Sequence, residues 1–447
     1  GLTGKLPESL RKAIADLQNG KPGAKKILVL INPPYGEATN ADNTVHGKVA
    51  KNKTDIKRTK MAAVGMPEYG RSSNELYLQF LARIAHELPN AYLAMFSTLK
   101  YINAQASEDF RGVWNAQYLN GFVIHNKAFD GLKGDFPIGF LIWKTDNRTD
   151  APRTPIVEIN CDVFDKELKP IGSKSFYNLP TQTYLSKWIE RPKPNNEDCV
   201  PLTNAITPPV GARKDQRGTR WSDGAIGYMC SGGNDFQHQK YINLLSSPAS
   251  MGHGIFVNAA NLHQCAIYFT MTKILHPTWL NDRDQFLQPT GEMGEEFQND
   301  CLVWMLFNGS NLTASANGLE WNGRSWDIVN HFIPYTEDEV NAPSRFESDF
   351  MVQHLEGKAL SAEAQRVMDC GRDLWRAYFA MEDEYQIRER YKLNRADVGW
   401  YQVRNALSDR NGTGSYKPVS FAAFEQAYKE LTEKLKPEVF AKGFLKG

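Results

Sequence analysis

The hydrophobic positions in the first third of the chain form short apolar runs separated by segments with helical spacing. Ile27–Ile31 is apolar throughout, which predicts a strand of a parallel sheet that is buried on both faces. Residues 74–88 repeat apolar side chains every three or four positions, which predicts an amphipathic helix. The elements predicted next are a strand, a helix and two strands, at Ala91–Ser97, 107–118, 120–128 and 138–143. This order predicts an α/β fold, the second half of a doubly wound sheet that closes with a hairpin.

The pattern changes near residue 150. Proline, asparagine, glycine and aromatic residues become frequent, and helical periodicity weakens up to about residue 335. Two short apolar runs in this region, Gly254–Val257 and Ala266–Met271, predict strands. Helical spacing returns at 361–381 and 421–435. We therefore predict three parts, namely an α/β part at 1–149, an irregular β-containing domain at 150–335 and a helical C-terminal region at 336–447.

Composition is that of a globular protein with more than one domain. The 447 residues are 41% hydrophobic and 23% charged, and the formal net charge is +1. There is no run of about 18 apolar residues and no apolar signal core at the N-terminus, so we expect a cytoplasmic protein without membrane contact. The six cysteines have neither zinc-site nor disulfide-framework spacing, which predicts free thiols and no metal site.

Two clusters of basic residues contrast with the near-neutral net charge. The first runs from Lys48 to Lys60 and the second from Arg213 to Arg220. Contacts to nucleic-acid phosphates need only a local basic surface of this kind. Solvated loops often have the same composition, so the clusters are compatible with nucleic-acid binding without establishing it.

One tetrapeptide carries specific chemistry, Asn32-Pro33-Pro34-Tyr35, directly after the first predicted strand. The exocyclic amine of adenine is a weak nucleophile because its lone pair is delocalised into the ring. Acceptors that hold both amino hydrogens let the nitrogen rehybridise, and Asn32 offers a side-chain carbonyl while Pro33 offers a main-chain carbonyl. The prolines fix the backbone, and Tyr35 offers a ring on which a flat base can stack. The alternative interpretation is a strand followed by a proline turn.

On these residues the chain resembles the amino-methyltransferases of restriction–modification systems that methylate adenine at N6. In that family the Asn-Pro-Pro-Tyr loop follows the fourth strand of a Rossmann-like methyltransferase sheet that binds S-adenosylmethionine (SAM). Residues 133–137 (KGDFP) resemble the later family motif whose aromatic residue packs against a flipped base. The residues with roles implied by the resemblance are, for catalysis, Asn32, Pro33, Pro34 and Tyr35 and, for base stacking, Tyr35 and Phe136.

The resemblance also implies an activity and a partner. The activity is transfer of a methyl group from SAM to N6 of an adenine that is flipped out of double-stranded DNA, in a restriction–modification or phage-defence setting. Residues 150–335 lie where the family has its DNA target-recognition domain. Within them, Tyr268–Phe286 resembles part of large restriction–modification methylases.

The chain departs from the family at the methyl donor. The glycine-rich turn that binds SAM should precede the Asn-Pro-Pro-Tyr loop, yet the 31 residues before Asn32 contain no such motif. Asn411–Gly414 contains a glycine pair but follows no apolar strand, and Ser231–Asp235 is no better, so we interpret both as turns. We therefore expect most of the SAM site to lie outside this chain, either in an N-terminal part of a larger enzyme or on a partner subunit.

Other functions stay open at this point. The same tetrapeptide serves methyltransferases that act on RNA bases or on protein glutamine amides, and cytosine N4 is a further amino group that fits the loop. The chain is alternatively a DNA-recognition fragment without catalysis. A nuclease-like pattern, Asp162 followed by Glu167-Leu168-Lys169, is also present, but charged turns often contain it by chance.

Overall fold

The computed structural model of the protein describes residues 7–37, 55–88, 90–146, 152–210, 217–250, 253–381, 396–408 and 419–446. The chain divides into two units. Unit 1 consists of Gly1–Gln182 and Pro277–Gln285, and unit 2 consists of Thr183–His276 and Phe286–Gly447. These limits differ from the predicted divisions after residues 149 and 335. The sheet of unit 1 continues to residue 177, and one hydrophobic core extends across the second predicted boundary.

One mixed sheet organises unit 1. Its strands are β1 (Leu28–Ile31), β2 (Tyr92–Thr98), β3 (Ala116–His125), β4 (Pro137–Thr145), β5 (Glu158–Phe164) and β6 (Pro170–Tyr177). The spatial order is β1-β2-β4-β3-β5-β6. β1 is parallel to β2 and β3 is parallel to β5, whereas β4 runs antiparallel between β2 and β3 and β6 is antiparallel to β5. The α/β class is thereby confirmed. β3 and β4 form the predicted hairpin, but β5 and β6 extend the sheet beyond it, so the prediction that the sheet closes there is wrong.

The helices of unit 1 are short. They are α1 (Glu8–Gln18), α2 (Leu76–Glu87), α3 (Lys100–Asn103) and α4 (Glu108–Val113). Short 3-10 or π segments lie at Asp55–Arg58, Met61–Gly65, Pro67–Asn74, Gln105–Ser107 and Asn126–Ala128, and the third of these is kinked at Gly70. The predicted helix at 107–118 is wrong in its second half. Ala116 opposite Thr145 already begins the β3–β4 ladder, so the strand starts before the predicted residue 120.

Alternate residues of the strands point into the hydrophobic core of unit 1. Leu93, Leu141 and Trp143 of the central strands are buried there, and Val29 of β1 packs against the same core. Helix α2 covers this face with an apolar stripe that includes Leu78 and Leu81. The periodicity of α2 in the sequence therefore reflects burial of one helix side against the sheet.

The opposite face of the sheet is much less covered by other residues near β1. Leu28 is 64% exposed and Leu30 is 70% exposed, so the predicted burial of β1 on both faces is wrong. The physical reason is that β1 is an edge strand, paired in the described residues with β2 alone. Further along this face Phe96, Phe140 and Phe122 lie side by side, with ring centroids 4.7 Å and 5.2 Å apart for successive pairs.

A segment from the later part of the chain folds with unit 1. This inserted segment, Pro277–Gln285, belongs to unit 1 although its neighbours on both sides belong to unit 2. Trp279 and Leu280 pack against the core of unit 1. Lys174 Nζ on β6 lies 2.8 Å from Asp284 Oδ2. These contacts place the segment within the fold of unit 1.

Unit 2 combines two small sheets with a helical core. The strands are β7 (Ala225–Cys230), β8 (Leu244–Leu245), β9 (Gly254–Asn258), β10 (Ala316–Trp321) and β11 (Arg324–Ile328), in the orders β8-β7-β9 and β10-β11. The helices are α5 (Leu185–Trp188), α6 (Leu262–Lys273), α7 (Glu295–Leu306), α8 (Glu337–Val340), α9 (Phe350–Leu355), α10 (Ala362–Phe379), α11 (Trp400–Ser408), α12 (Ala422–Leu435) and α13 (Glu438–Ala441). Single 3-10 turns lie at Arg217–Thr219 and Phe236–Tyr241.

Two of the predictions for this region are confirmed and one is wrong. β9 confirms the predicted strand at Gly254–Val257, and α10 and α12 confirm the helical C-terminal region. The predicted strand at Ala266–Met271 lies instead inside α6. Nine of the 12 residues of α6 are buried, so the helix is apolar on all sides and shows no helical period in the sequence. In the described part of the chain, no helix combines the length and the apolarity that crossing a bilayer requires.

Candidate functional site

The Asn32–Tyr35 loop begins at the carboxyl end of β1. Asn32 and Pro34 are exposed, Pro33 is buried and Tyr35 is partly buried. The Tyr35 hydroxyl donates a hydrogen bond of 2.9 Å to Asn32 Oδ1. A carbonyl oxygen has two acceptor sites, so this bond orients the Asn32 amide and leaves the second site for a substrate N–H.

The Tyr35 side chain is turned towards the interior of unit 1. Its ring packs against the core of unit 1. Burial raises the pKa of Tyr35 to about 12, so the phenol stays protonated and remains a donor to Asn32 across the physiological pH range. The observed contact of Tyr35 is thus with Asn32, and its stacking on a base stays a prediction.

The far end of the loop is attached to the start of α2. The Leu76 N–H donates to the Gly36 carbonyl at 2.8 Å, and Glu37 forms an antiparallel bridge with Glu75. Lys100 joins the two carboxylates, with Nζ 2.9 Å from Glu37 Oε2 and 2.7 Å from Glu75 Oε1. We call this three-residue group the Lys100 anchor. It fixes the distal end of the loop, while β1 fixes the proximal end.

The charges of the Lys100 anchor depend on one another. The Glu75 side chain is 15% exposed, the Lys100 side chain 26% and the Glu37 side chain 51%. Burial raises the pKa of Glu75, and the adjacent Lys100 ammonium opposes that shift. Burial alone would lower the pKa of Lys100, but the Glu75 and Glu37 carboxylates raise it above its ordinary value. Lys100 therefore stays charged and favours the ionised form of the buried Glu75.

Phe136 directly precedes β4, and its backbone is held by a buried asparagine. The Phe136 N–H donates to Asn126 Oδ1 and the Asn126 N–H donates to the Phe136 carbonyl, each at 3.1 Å. Asn126 Nδ2 donates to the Gly134 carbonyl, also at 3.1 Å. Asn126 is fully buried, whereas Phe136 keeps part of its surface exposed. Asn126 was not singled out in the sequence, where the one signal is an Asn that directly follows an apolar strand.

Strand register places Phe136 and Asn32 at the same edge of the sheet. β1 is parallel to β2, and β4 runs antiparallel to β2 with Ile138 opposite Thr98. The start of β4 and the end of β1 therefore lie towards one edge, with β2 between them. The register puts Asn32 level with Phe140, four residues from Phe136. Two strand spacings of about 10 Å thus combine with about 13 Å along the strands. The carboxyl ends of parallel strands are where open α/β sheets bind ligands.

His125, the last residue of β3, lies at this edge as well. The Trp279 ring of the inserted segment packs against the imidazole, with centroids 4.8 Å apart and planes at 40°. His125 Nδ1 accepts the Lys127 N–H at 3.1 Å, and Nε2 lies 3.5 Å from Asp135 Oδ1. Burial lowers the pKa of His125, so the ring is neutral near pH 7. Sequence analysis missed this pair because Trp279 reaches it from a distant part of the chain.

The nuclease-like pattern forms a turn. Glu167 and Lys169 lie between β5 and β6, and their backbone N–H groups each donate to Asp165 Oδ1 at 2.9 Å. Asp165 therefore organises a hairpin turn, while Asp162 lies within β5 and is exposed. Among the residues that the structure describes, no three His, Cys, Asp or Glu side chains cluster as metal ligands.

Of the two glycine-containing segments considered as SAM-binding turns, the structure describes one. Ser231–Asp235 is a turn between β7 and the 3-10 turn at Phe236–Tyr241, where the Asp235 side chain accepts the His238 N–H. Asn411–Gly414 lies outside the described residues. The described segment thus has a structural role at the end of β7.

The basic clusters are described in part. Lys57, Arg58 and Lys60 are exposed beside the 3-10 turn at Asp55–Arg58, whereas the portion of that cluster before residue 55 lies outside the described residues. In the second cluster Arg213 and Lys214 also lie outside them, and Arg220 forms an ion pair with Asp198. The described basic surface in unit 1 is therefore the group at residues 57–60.

A separate cavity of about 640 Å³ lies on unit 1. The residues that line it include Lys60, Arg83, His86 and Tyr69. Neither Asn32 nor Phe136 lines this cavity, so it is distinct from the sheet edge that carries the Asn32–Tyr35 loop.

Comparisons with known proteins give one weak structural similarity. No protein family and no curated protein matches the chain. Among solved structures, an ATP-dependent Type ISP restriction-modification enzyme, LlaBIII, bound to DNA, is 11% identical with a TM-score of 0.23. The alignment covers 48% of this chain and 15% of that enzyme. This is a weak structural similarity to a DNA-bound restriction-modification enzyme, and at such a TM-score it carries no argument about function.

Proposed function

We propose that unit 1 carries the catalytic edge of an amino-methyltransferase that transfers a methyl group from SAM to N6 of an adenine in double-stranded DNA. The setting is restriction–modification or phage defence. The supporting observation is the Asn32–Tyr35 loop at the carboxyl end of a parallel strand, with Asn32 exposed and with Phe136 towards the same edge, two strands away. This combination offers amino-group acceptors and an aromatic surface on one side of the sheet.

The loop would act by positioning the amine. Asn32 Oδ1 and the Pro33 carbonyl accept the two amino hydrogens, so that the nitrogen lone pair turns towards the methyl group. The hydrogen bond from Tyr35 holds the Asn32 carbonyl in place before the substrate arrives. SAM, when bound, supplies an electrophilic methyl group. Correct placement of two reacting groups contributes most of the acceleration in such a reaction.

The base would enter between the loop and the start of β4. A base paired inside a duplex is out of reach, so the adenine must leave the helix at a cost of a few kcal/mol. Phe136 would recover part of that cost by packing on the base, because its backbone is fixed by Asn126. Lys57, Arg58 and Lys60 supply exposed positive charge for the phosphates.

The described residues fit binding of the target amine better than they fit binding of the methyl donor, SAM. No glycine-rich turn for SAM follows a strand within the described ranges. The outer edge of β1 lacks a partner strand there, and Leu28 and Leu30 are exposed beside it. We propose that the polypeptide that binds SAM adds to the sheet at β1. Its source is an upstream segment or a partner subunit, and no contact to SAM is assigned to this chain.

The test is methyl transfer by the purified chain. The chain is incubated with labelled SAM and unmethylated double-stranded DNA, and N6-methyladenine is quantified by mass spectrometry. Asn32→Ala is the control, because Asn32 is exposed and its loss should leave the fold intact. N6-methyladenine from the original chain and none from Asn32→Ala would support methyl transfer to adenine, and it would contradict the proposal that another polypeptide binds SAM. The same assay with RNA or protein in place of DNA tests the alternative substrates.

A second measurement separates recognition from catalysis. DNA binding without SAM should weaken steeply with salt if the basic surface contacts phosphates. A chain that binds DNA without methylating it would then be assayed with the upstream segment added. Absence of both DNA binding and methyl transfer in that reconstituted protein would overturn the proposal.

A further inference from the structure

Two histidines of unit 2 face each other across a gap between helices. His263 lies in the first turn of α6 and His354 lies in α9. Their Nε2 atoms are 3.2 Å apart. Their ring centroids are 5.0 Å apart, with the planes at 58°. Neither residue has a part in the proposed methyl transfer, so the pair needs its own explanation.

The two distances agree with nitrogen lone pairs that meet at one point. With about 1.15 Å from ring centre to nitrogen, both separations fit a point about 2.0 Å from each Nε2, which is the length of a Zn–N bond. A straight N–H···N hydrogen bond at the same nitrogen separation would place the centroids about 5.5 Å apart. The rings are therefore not collinear, which is the arrangement that two ligands of one tetrahedral ion need.

One fully buried side chain lies beside His263. Asn299 on α7 donates from Nδ2 to the Ala359 carbonyl at 2.9 Å. Its Oδ1 has no hydrogen-bond partner, and its side chain raises the pKa of His263.

The rings are partly buried and have an aromatic neighbour. Burial lowers the pKa of both His263 and His354. Phe350 stacks on His354 with the ring planes at 11°.

We propose that His263 and His354 bind one divalent transition-metal ion of the zinc type, which joins α6 to α9 in unit 2. Imidazole ligands select zinc, copper and nickel over magnesium and calcium. Two protein ligands with water at the remaining positions make an exchangeable site. Its effect would be on stability, because α6 contributes nine buried residues to unit 2.

The experiment uses the full chain after removal of metals by chelation. Zn²⁺ is titrated by calorimetry, and the unfolding temperature is measured with and without Zn²⁺. We expect one Zn²⁺ per chain and an unfolding temperature raised by a few degrees. His354→Gln and His263→Gln should each weaken Zn²⁺ binding at least tenfold. His86→Gln, which removes a histidine of unit 1, should leave it unchanged, and Mg²⁺ should not replace Zn²⁺.

A second readout works on the unaltered chain in case a variant does not fold. With ¹⁵N-labelled histidine, Zn²⁺ should change the ring signals of two of the nine histidines. The proposal is overturned if no Zn²⁺ binds below millimolar concentration, which would leave the pair as a hydrogen bond. It is also overturned if Zn²⁺ binds equally well to folded His354→Gln. Neither outcome bears on methyl transfer by unit 1.

Discussion

Replacing Lys100 with methionine should destabilise the end of the Asn32–Tyr35 loop. Lys100→Met keeps the apolar stem of the side chain and removes the ammonium that contacts Glu75 and Glu37. Glu75 would then be a carboxylate that is 15% exposed and has no cation at hydrogen-bond distance. The perturbation therefore isolates one charge in the Lys100 anchor.

The magnitude lies between two limits. Loss of an exposed ion pair costs at most about 1 kcal/mol, and removal of one partner of a fully buried pair costs about 3–5 kcal/mol. The side chains of Lys100 and Glu75 are 26% and 15% exposed, which places the pair between these cases. We expect Lys100→Met to lower the free energy of unfolding by about 2 kcal/mol near pH 8.

The loss of stability caused by Lys100→Met should grow as pH rises. Burial raises the pKa of Glu75 even beside Lys100, so without Lys100 that pKa rises further. A carboxyl group whose folded-state pKa exceeds its unfolded value binds more protons when folded, so stability falls as pH rises between the two values. The cost of Lys100→Met should therefore be small near the ordinary glutamate pKa of about 4.3 and complete near pH 8.

Urea unfolding at pH 5 and pH 8 measures this difference, and hydrogen exchange at the Leu76 amide reports opening of its bond to Gly36. Lys21→Met is the matched control, because Lys21 pairs with Asp16 at a more exposed site and should cost little. Adding Glu75→Gln to Lys100→Met should restore most of the lost stability. An equal cost at both pH values, or no restoration by Glu75→Gln, would refute the reasoning.

Three further predictions concern the same sheet edge. Tyr35→Phe should slow methyl transfer about fivefold with KM unchanged, because one net hydrogen bond of about 1 kcal/mol to the amide is lost; an unchanged initial rate would contradict this. Asn126→Ala should lower the free energy of unfolding by about 2 kcal/mol, since it leaves the part-buried Phe136 N–H without its acceptor and the Gly134 carbonyl without its donor; a neutral result would exclude that role. Trp279→Phe should abolish a fluorescence decrease that accompanies protonation of His125 below pH 6.5, because burial lowers the pKa of that histidine; persistence of the decrease would assign it elsewhere.

The parts of the fold that sequence analysis predicted have local signals. The apolar run before Asn32 and the two prolines after it define a strand end without reference to the rest of the chain. The period of α2 records a helix that buries one side. The position of Phe136 is also predictable from the local sequence, because a segment that contains a glycine and a proline directly precedes an apolar strand.

The parts that sequence analysis missed depend on distant contacts. Ala266–Met271 was assigned to a strand because a helix buried on every side loses its period, and only the packing of unit 2 shows which element forms. The burial of Asn126 and the contact of Trp279 with His125 exist only in the folded unit. The exposure of Leu30 follows from the position of β1 at the sheet edge, which an apolar run does not encode.

The two faces of the sheet constrain how the proposed SAM-binding polypeptide would add to unit 1. β1 connects through α2 to its parallel neighbour β2, and α2 covers the face that contains Val29. Crossovers between parallel strands are right-handed in nearly all proteins. A right-handed crossover that steps from β1 in the opposite direction therefore puts its helix on the other face, where Leu28 and Leu30 are exposed. The helix of such a crossover would thus bury these leucines, and Asn32 would then lie between the added strands and Phe136.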